Sequence, residues 1–475
     1  MRWWCRSSIK HVKIEITVTP QERKKNLQGF SKVLQDRPLD PALEADRALY
    51  VAELHISQHD GLRIDSVARL AAQIERAEGS RVWLFTGNIG SGKSTELRRL
   101  RQELTAARCV VFLADAADCI NLNQKLEIGD FLVSLSAAFA EQAGKYLGSN
   151  QVESGYWERI GNFLNNTVVE VREAALGGSI EAGLPGVGKF SFKGDLKTAL
   201  IQDPVVKQRV QAHLRGHLSS LAKDLEDYRA GILDQIREKA GAGVKVVMLL
   251  DSLERLRGGG DADDDVFSSV RTLFSQYHDM LRLAELQIVY SVAPYLIKLA
   301  PQLAGIFGAG TLCHLTTAHV FRARSRQLDS DGGVAIIREI IARRFPPWQT
   351  LLPSEVLDRI IEASGGDLRD LFRLLSIVLL ELEFSTDVDA VLRHALEQIR
   401  RDMTWIVQSH LERLRHLALD KKPRLESEAD MDALVHDLET KRVLMYRNGD
   451  DWYDVHPLLR DQVDPPRIGM PDSAA

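Results

Sequence analysis

The sequence predicts an α/β protein: a parallel sheet with helices on both faces, followed by an α-helical lid and a C-terminal winged-helix domain. Three observations carry that expectation. A glycine-rich loop, Gly87 to Thr95 ("GNIGSGKST"), lies directly between a short apolar run and an amphipathic stretch. Two further apolar runs, "VKVVMLLD" (244–251) and "ELQIVYSV" (285–292), have the composition of strands buried on both faces. Beyond Arg326 the periodicity turns helical. It ends in two short strand-like runs around a Gly-Asp-Asp turn, within "KRVLMYRNGDDWYDVHPLL".

The elements run in this order. Residues 1–40 are polar and bounded by proline, and are expected to form an N-terminal extension outside the core. "ALYVAELHI" (48–56) reads as a strand. "RIDSVARLAAQIERAEG" (63–79) reads as an amphipathic helix, with Ile64, Val67, Leu70 and Ile74 near helical spacing. "RVWLFTG" is a short buried strand that runs into the glycine loop. "STELRRLRQELTAA" is a helix with Leu97, Leu100 and Leu104 on one face, and "CVVFLADA" (109–116) is the next strand. Strand, loop, helix and strand in that order begin a parallel sheet. Residues 120–243 are mostly helical and too long for a simple crossover, so they read as an insertion. "TLCHLTTAHVF" (311–321) reads as a further strand. The expected organisation is a sheet domain over 41–325, a helical lid over 326–400 and a winged helix over 401–475.

At 475 residues the chain is too long for one core. Lys and Arg number 61 against 66 Asp and Glu, a formal net charge of −5, which speaks against a surface devoted to nucleic acid. Cys5, Cys109, Cys119 and Cys313 show no C-x-x-C spacing and fit small buried thiols in a reducing compartment. No apolar run reaches transmembrane length, and the N-terminus lacks the apolar core of a signal peptide. A cytoplasmic protein without membrane contact is the expectation.

Two stretches fit G-x-x-x-x-G-K. In the first, glycines at 87, 90 and 92 let the backbone N–H groups of Asn88, Ser91 and their neighbours close around phosphates. Lys93 would reach the β- and γ-phosphates. Ser94 would bind Mg²⁺, with Thr95 beside it at a helix N-terminus. The full pattern arises by chance in roughly one such chain in fifty. The second stretch, "GLPGVGKFS" (183–191), has Phe190 where the magnesium hydroxyl belongs and no buried strand before it. Its neighbours alternate with period two, which makes it the turn of a hairpin over 177–195 rather than a nucleotide site.

"VVMLLDSLERL" supplies the acids. Asp251, at the end of a buried strand, would hold Mg²⁺, and Glu254 is the candidate general base for an attacking water. Ser291 closes another strand, placed to sense a γ-phosphate or to cap the next helix. Arg369 begins a helix after two glycines, in "SGGDLRDLFRLL", where it could swing onto the γ-phosphate.

Together and in order, these motifs resemble the P-loop ATPases of the AAA+ and STAND groups, over roughly residues 45–120 and 244–461. "GNIGSGKST" is similar to Walker A and "VVMLLDSLERL" to Walker B, whose Asp-x-x-acid-Arg form resembles the KAP and NACHT branches. "SGGDLR" resembles the sensor-2 start of an origin-recognition-type lid. "YDVHPLLRD" resembles the MHD motif of STAND switches, with His456 in the ADP-contacting position and Pro457 in place of its Asp. The resemblance implies a P-loop NTPase sheet that takes ATP or ADP with Mg²⁺. No Arg lies between Arg282 and Arg322, where AAA+ proteins keep a finger for the neighbouring subunit; Arg322, Arg324 and Arg326 are weak substitutes.

The expected function is that of an ATP-hydrolysing molecular switch. It would act through a partner protein (effector or sensor), with bacterial defence or stress signalling as its setting, and with homo-oligomerisation. The alternative is an initiator-like or transposition-like AAA+ ATPase on DNA. The would-be recognition helix (428–441) disfavours DNA, because Glu428, Asp430, Asp432, Asp437 and Glu439 precede its one base, Lys441. A small-molecule kinase on the same fold is a third reading, against which the lid and Arg369 tell.

Overall fold

The apolar runs fold as strands of a single parallel sheet, and the amphipathic runs as the helices around it. The computed structural model describes residues 19–464, apart from 60–61, 177–203, 257–262, 295, 297–301, 309, 316, 404–405 and 449–450. The hairpin expected over 177–195, with Lys189, lies outside the described residues. Contacts divide the chain into two compact units. One comprises the described parts of 67–86 and 96–314; the other comprises those of 1–66, 87–95 and 315–475.

The second of these begins with α1 (Pro20–Val33), started by a reciprocal Thr19–Glu22 capping box and by Pro20 in the first turn. For residues 20–34 this helix corrects the expectation that 1–40 lie outside the core; residues 1–18 lie outside the described residues. Leu27, Phe30 and Leu34 repeat at helical spacing, are buried, and join the core of the lid helices. Phe30 stacks on Phe345 with ring centroids 4.8 Å apart. The strand expected over 48–56 is also corrected. The segment is α2 (Glu44–Leu49) followed by a 3₁₀ turn, Ala52–His55. Val51 and His55 are buried while Glu53 between them is exposed, which breaks the period-two alternation that a strand needs. Only at Ile56 does β1 (Ile56–His59) begin, paired antiparallel with β2 (Leu62–Asp65). Ile64 therefore belongs to a strand, and the helix after it, α3 (Ser66–Arg76), buries Val67, Leu70, Ala71 and Ile74.

The sheet unit contains β3 (Arg81–Gly87), α4 (Lys93–Ala106) and β4 (Val110–Asp115), of which Gly87 and residues 93–95 count with the other unit. Four helices of the expected insertion come next among the described residues: α5 (Ile128–Leu147), α6 (Gln151–Leu176), α7 (Pro204–Arg215) and α8 (Leu218–Ala240). The carboxylate of Asp130 ties α7 to α5, accepting from Gln211 at 2.9 Å with Lys207 Nζ 3.4 Å away. Then come β5 (Val246–Asp251), α9 (Asp263–Gln276), β6 (Gln287–Val292), α10 (Leu303–Phe307) and β7 (Leu312–Leu315). The strand order is β4-β5-β6-β3-β7. β6 pairs in parallel with both β3 and β5, and β5 with β4. Every residue of β5 and β6 is buried, as their unbroken apolar composition requires. β7 takes up only part of the run 311–321, and Ala318, Val320 and Phe321 beyond it join the core of the lid helices instead.

The lid is α11 (Gly333–Arg344), α12 (Ser354–Ser364), α13 (Leu368–Glu381) and α14 (Val388–Met403). The winged helix is α15 (Gln408–Asp420), α16 (Glu428–Glu439), the hairpin of β8 (Val443–Tyr446) and β9 (Trp452–Val455), and the short α17 (Arg460–Val463). Alternation decides where the hairpin goes. Leu444, Tyr446 and Trp452 join the lid core, whereas Val443, Met445, Tyr453 and Val455 join the winged-helix core. Asp454, buried on this hairpin, meets Arg326 (3.0 Å), Lys421 (2.8 Å) and Arg460 (3.3 Å). Burial pushes its pKa up, but these cations overcome that and hold it below the usual carboxylate range.

Because Phe30 is fully enclosed, Phe30→Ala is expected to cost about 3–5 kcal/mol of stability. Urea unfolding measures this; an unchanged midpoint would show that α1 contributes nothing to the lid core.

Candidate functional site

The glycine loop takes its shape from residues without side chains. Gly90 (φ +81°) and Gly92 (φ +88°) sit in the left-handed region that other residues adopt only at a cost. A Cβ on Gly90 would also collide with the Asp367 carboxylate, and one on Gly87 would lie 2.8 Å from Ser91 Oγ. Lys93 Nζ donates to the carbonyl oxygens of Gly87 (2.9 Å) and Asn88 (3.1 Å), which folds the loop around its own lysine. Ser91 Oγ is buried without a hydrogen-bond partner among the described residues. Ser94 is half-buried, and the Thr95 hydroxyl accepts from the Leu39 N–H at 3.0 Å. Asn88 turns its side chain away from the loop, and its Nδ2 donates to the Met445 carbonyl of β8 at 2.9 Å. Two left-handed glycines, an inward lysine and an unsatisfied buried hydroxyl are a donor set suited to phosphate.

The lid meets the same loop. Gly365 (φ +61°) and Gly366 (φ +90°) turn the chain into α13, with Asp367 as its N-cap. The Asp367 Oδ1 accepts from the N–H groups of Arg369 (2.9 Å) and Asp370 (3.0 Å). Lys441, just after α16, bridges Asp367 Oδ2 (2.9 Å) and Asp370 Oδ2 (3.0 Å). Burial pushes the pKa of Asp367 up, Lys441 opposes that, and Asp370 adds to it. Arg369 pairs through Nε with Asp36 at 2.6 Å, and both side chains are about half exposed. His456 is fully enclosed. Its Nδ1 accepts from the Leu458 N–H (3.3 Å), and Nε2 lies 3.8 Å from Asp370 Oδ2. Burial, with Lys441 nearby, holds its pKa down to about 3, so the ring is neutral at pH 7.

In the sheet unit, Asp251 closes β5 in register with Asp115 and accepts from the Ser252 N–H at 2.8 Å. Ser252 has φ +69°, a left-handed residue that starts the single 3₁₀ turn Leu253–Arg255. This turn brings Glu254 to the fully buried Ser291, whose Oγ donates to Glu254 Oε2 at 2.6 Å. The Ser291 hydroxyl is thus bonded to the candidate base. In register, Ser291 faces Phe85 and Val292 faces Thr86, so the β3, β5 and β6 ends share the carboxyl edge of the sheet, where α/β folds bind ligands. Among the described residues, no cluster of three or more His, Cys, Asp or Glu could hold a metal ion.

The strand order puts β6 between the strand that feeds the glycine loop and the strand that ends in Asp251. This is the P-loop NTPase fold.

No protein-family model matches the chain, and no curated protein matches it. Among solved structures it is similar to the Walker-type ATPase PABY2304 of Pyrococcus abyssi (12% identity, 91% of this chain and 99% of that one, TM-score 0.39). It is similar also to the Aeropyrum pernix ORC2 protein in its ADPNP–ADP complexes (12%, 90% and 93%, TM-score 0.37). A third is the Aeropyrum pernix ORC1 protein in complex with DNA (13%, 84% and 92%, TM-score 0.32). A likeness at these TM-scores says nothing of function, which this chain's own residues must decide.

Asp367, Lys441 and the Met445 carbonyl are contacts of the loop's surroundings that the motifs did not single out. An Asp before a helix after two glycines is legible as an N-cap; Lys441, seventy-odd residues away, carries no local signal.

Two outcomes are expected. Gly90→Ala combines a strained φ with the Asp367 collision, and should cost about 1–3 kcal/mol and loosen the loop; a melting curve like that of the parent would refute the contact. His456 has a folded pKa below its unfolded value of about 6.5, so the unfolded chain takes the proton first as pH falls. Stability is whole above about pH 6.5 and drains as pH falls towards 3, by up to ~1.4 kcal/mol per pH unit. His456→Asn keeps an acceptor for the Leu458 N–H and should flatten that decline, as urea midpoints between pH 7 and 4 would register.

Proposed function

We propose that this chain is an ATP-binding and ATP-hydrolysing switch, in which the winged helix clasps the phosphate loop. The observation that carries the reading is the hydrogen bond from Asn88 in the loop to the Met445 carbonyl in the wing. The Asp367–Lys441 ion pair supports it, joining the lid to the winged helix where Asp367 touches Gly90. A group that binds at the loop and disturbs these contacts shifts the equilibrium between clasped and released forms.

Lys93 and the loop N–H groups are assigned to the phosphates, and Ser94 with Asp251 to Mg²⁺, which when bound neutralises phosphate charge. Glu254 is assigned the proton of the attacking water, with Ser291 holding its carboxylate. Ser291 and Arg369 as γ-phosphate sensors and His456 as an ADP contact belong to the same reading. Release of Arg369 from Asp36 and of the wing from Asn88 would accompany them. The output is binding to a partner protein, effector or sensor, or self-association in the cytoplasm, in a defence or stress response.

The alternative is an ATPase that loads onto DNA; one of the similar structures is an ORC1 protein in complex with DNA. Against it stands the acidic composition of α16, although its Asp437 is buried against Arg413, and both strands of the wing are buried throughout. Retardation of duplex DNA at low salt, dependent on ATP, would favour this alternative over the switch.

Lys93→Ala should abolish ATP binding while Lys189→Ala leaves it intact, measured by titration calorimetry; the reverse pattern would assign the nucleotide to the other loop. Glu254→Gln should retain binding and lower turnover about 10²–10⁴-fold. Identical sizing profiles with ADP and with a non-hydrolysable ATP analogue would sink the switch.

A further inference from the structure

Phe384 is the most exposed large apolar side chain among the described residues, at 78%, and Leu380, four residues before it, is 54% exposed. The ring stands on the turn from α13 to α14, and the turn is well held. The N–H groups of Phe384 and Ser385 both donate to the Glu381 carbonyl at 3.0 Å, and the Asp387 N–H donates to Ser385 Oγ at 3.1 Å. Leu382 and Val388, on either side, are buried in the lid core. A bonded turn with anchored flanks thus presents a phenyl ring and a leucine to water, with the ordering that contact requires already done. Its free charge is negative. Glu383 pairs with Lys24 at 3.7 Å, whereas Glu381, with His394 3.9 Å away, and Asp387 flank the ring without a lysine or arginine partner among the described residues.

The sheet unit carries a cavity of about 280 Å³ between the first turn of α5, the end of α7, the start of α8 and one face of α9. A benzene-sized ring fits in about 150 Å³. Leu126, Leu214 and Leu273 lead the buried lining. Its buried polar members spend their donors inside the protein: Gln211 donates to Asp130 at 2.9 Å, and Ser269 to the Val266 carbonyl at 2.7 Å. An apolar group therefore suits the space better than a hydrogen-bonding one. At the mouth the charge is positive. Glu127 pairs with Arg215 and Asp130 with Lys207, which leaves the exposed Lys125 in excess. The Glu127 carboxyl registers this. The hydrogen bond from Arg215 foremost, with the charges of Arg215, Lys125 and Lys207, holds it below the usual carboxylate range against the push of burial.

We propose that Phe384 of one copy of this chain seats in the cavity of a second copy, an aromatic anchor carried by an acidic turn into an apolar pocket with a basic mouth. Ring and cavity lie on different parts of the chain, so the contact is head-to-tail, and each copy both offers a ring and receives one. The inference rests on the self-association proposed as an output of the switch, and it gives that association a surface.

Sedimentation velocity of the full chain over a range of concentrations reads the association, with ADP, with a non-hydrolysable ATP analogue and with neither. Phe384→Ala should weaken it about ten- to hundredfold, the worth of burying one aromatic side chain. Ser268→Trp, at an exposed position of the cavity lining, should fill the space and weaken it as much. Where the parent associates, each variant alone should stay monomeric. An equal mixture of the two should form a dimer and grow no further, since one copy keeps its cavity and the other its ring. If the tryptophan variant does not fold, Lys125→Glu serves in its place and should weaken association about two- to tenfold. A parent that associates while Phe384→Ala associates equally, or a mixture that stays monomeric, would overturn the contact alone. A parent that is monomeric under all three conditions would overturn both the contact and the self-association on which it rests.

Discussion

Asp367 is a carboxylate buried against the backbone of Gly90, and a charge in such a place holds only with partners on every side. Two N–H groups at the start of α13 supply part of what it needs, and Lys441 supplies the cation. The lysine belongs to the winged helix, the amides to the lid, and the glycine to the phosphate loop. One ion pair therefore fixes three segments far apart in the chain against one another. Removing Lys441 would leave the carboxylate uncompensated, and removing Asp367 would strand the lysine beside Asp370, so the cluster resists piecemeal change. His456, kept neutral a few ångströms away, fits the same constraint: a charged ring there would compete with Lys441 for Asp370.

The sheet unit shows a second kind of constraint, local rather than long-range. Ser252 adopts a left-handed conformation that a residue with a side chain accepts reluctantly, and it does so between Asp251 and Glu254. The reversal ends β5 abruptly and curls the next three residues into a single turn. Without it Glu254 would continue along the strand and away from Ser291. Position and orientation of the candidate base thus depend on one strained φ and one hydroxyl.

Much of this is legible in the sequence, and the legible parts share a property. β3, β5 and β6 are continuous apolar runs between turn signals, and Gly87–Thr95 is a dense local pattern; each declares itself within ten residues. The wing is legible for the same reason, since Val443–Tyr446 and Trp452–Val455 flank an obvious turn. Illegible are features whose cause lies elsewhere in the chain. Leu27, Phe30 and Leu34 are three apolar residues in a polar segment, and only the lid core makes them a packed face. Residues 48–56 have the apolar content of a strand, but Glu53 is exposed between buried Val51 and His55, and the segment coils into a 3₁₀ turn. Arg369 has the motif position of a residue free to reach a phosphate. Its partner, Asp36, lies in the one segment whose sequence gives no sign of joining the core.

The bond between Asn88 and Met445 spans 357 residues. A ribosome adding about 5–20 residues each second finishes the loop roughly 20–70 s before it makes the strand that clasps it. During that interval the glycine loop exists without its cover, while α4 and the strands around it are already available to fold. The order of synthesis thus gives every new molecule a period in which its phosphate loop is accessible, and closing of the wing is the last local event rather than the first.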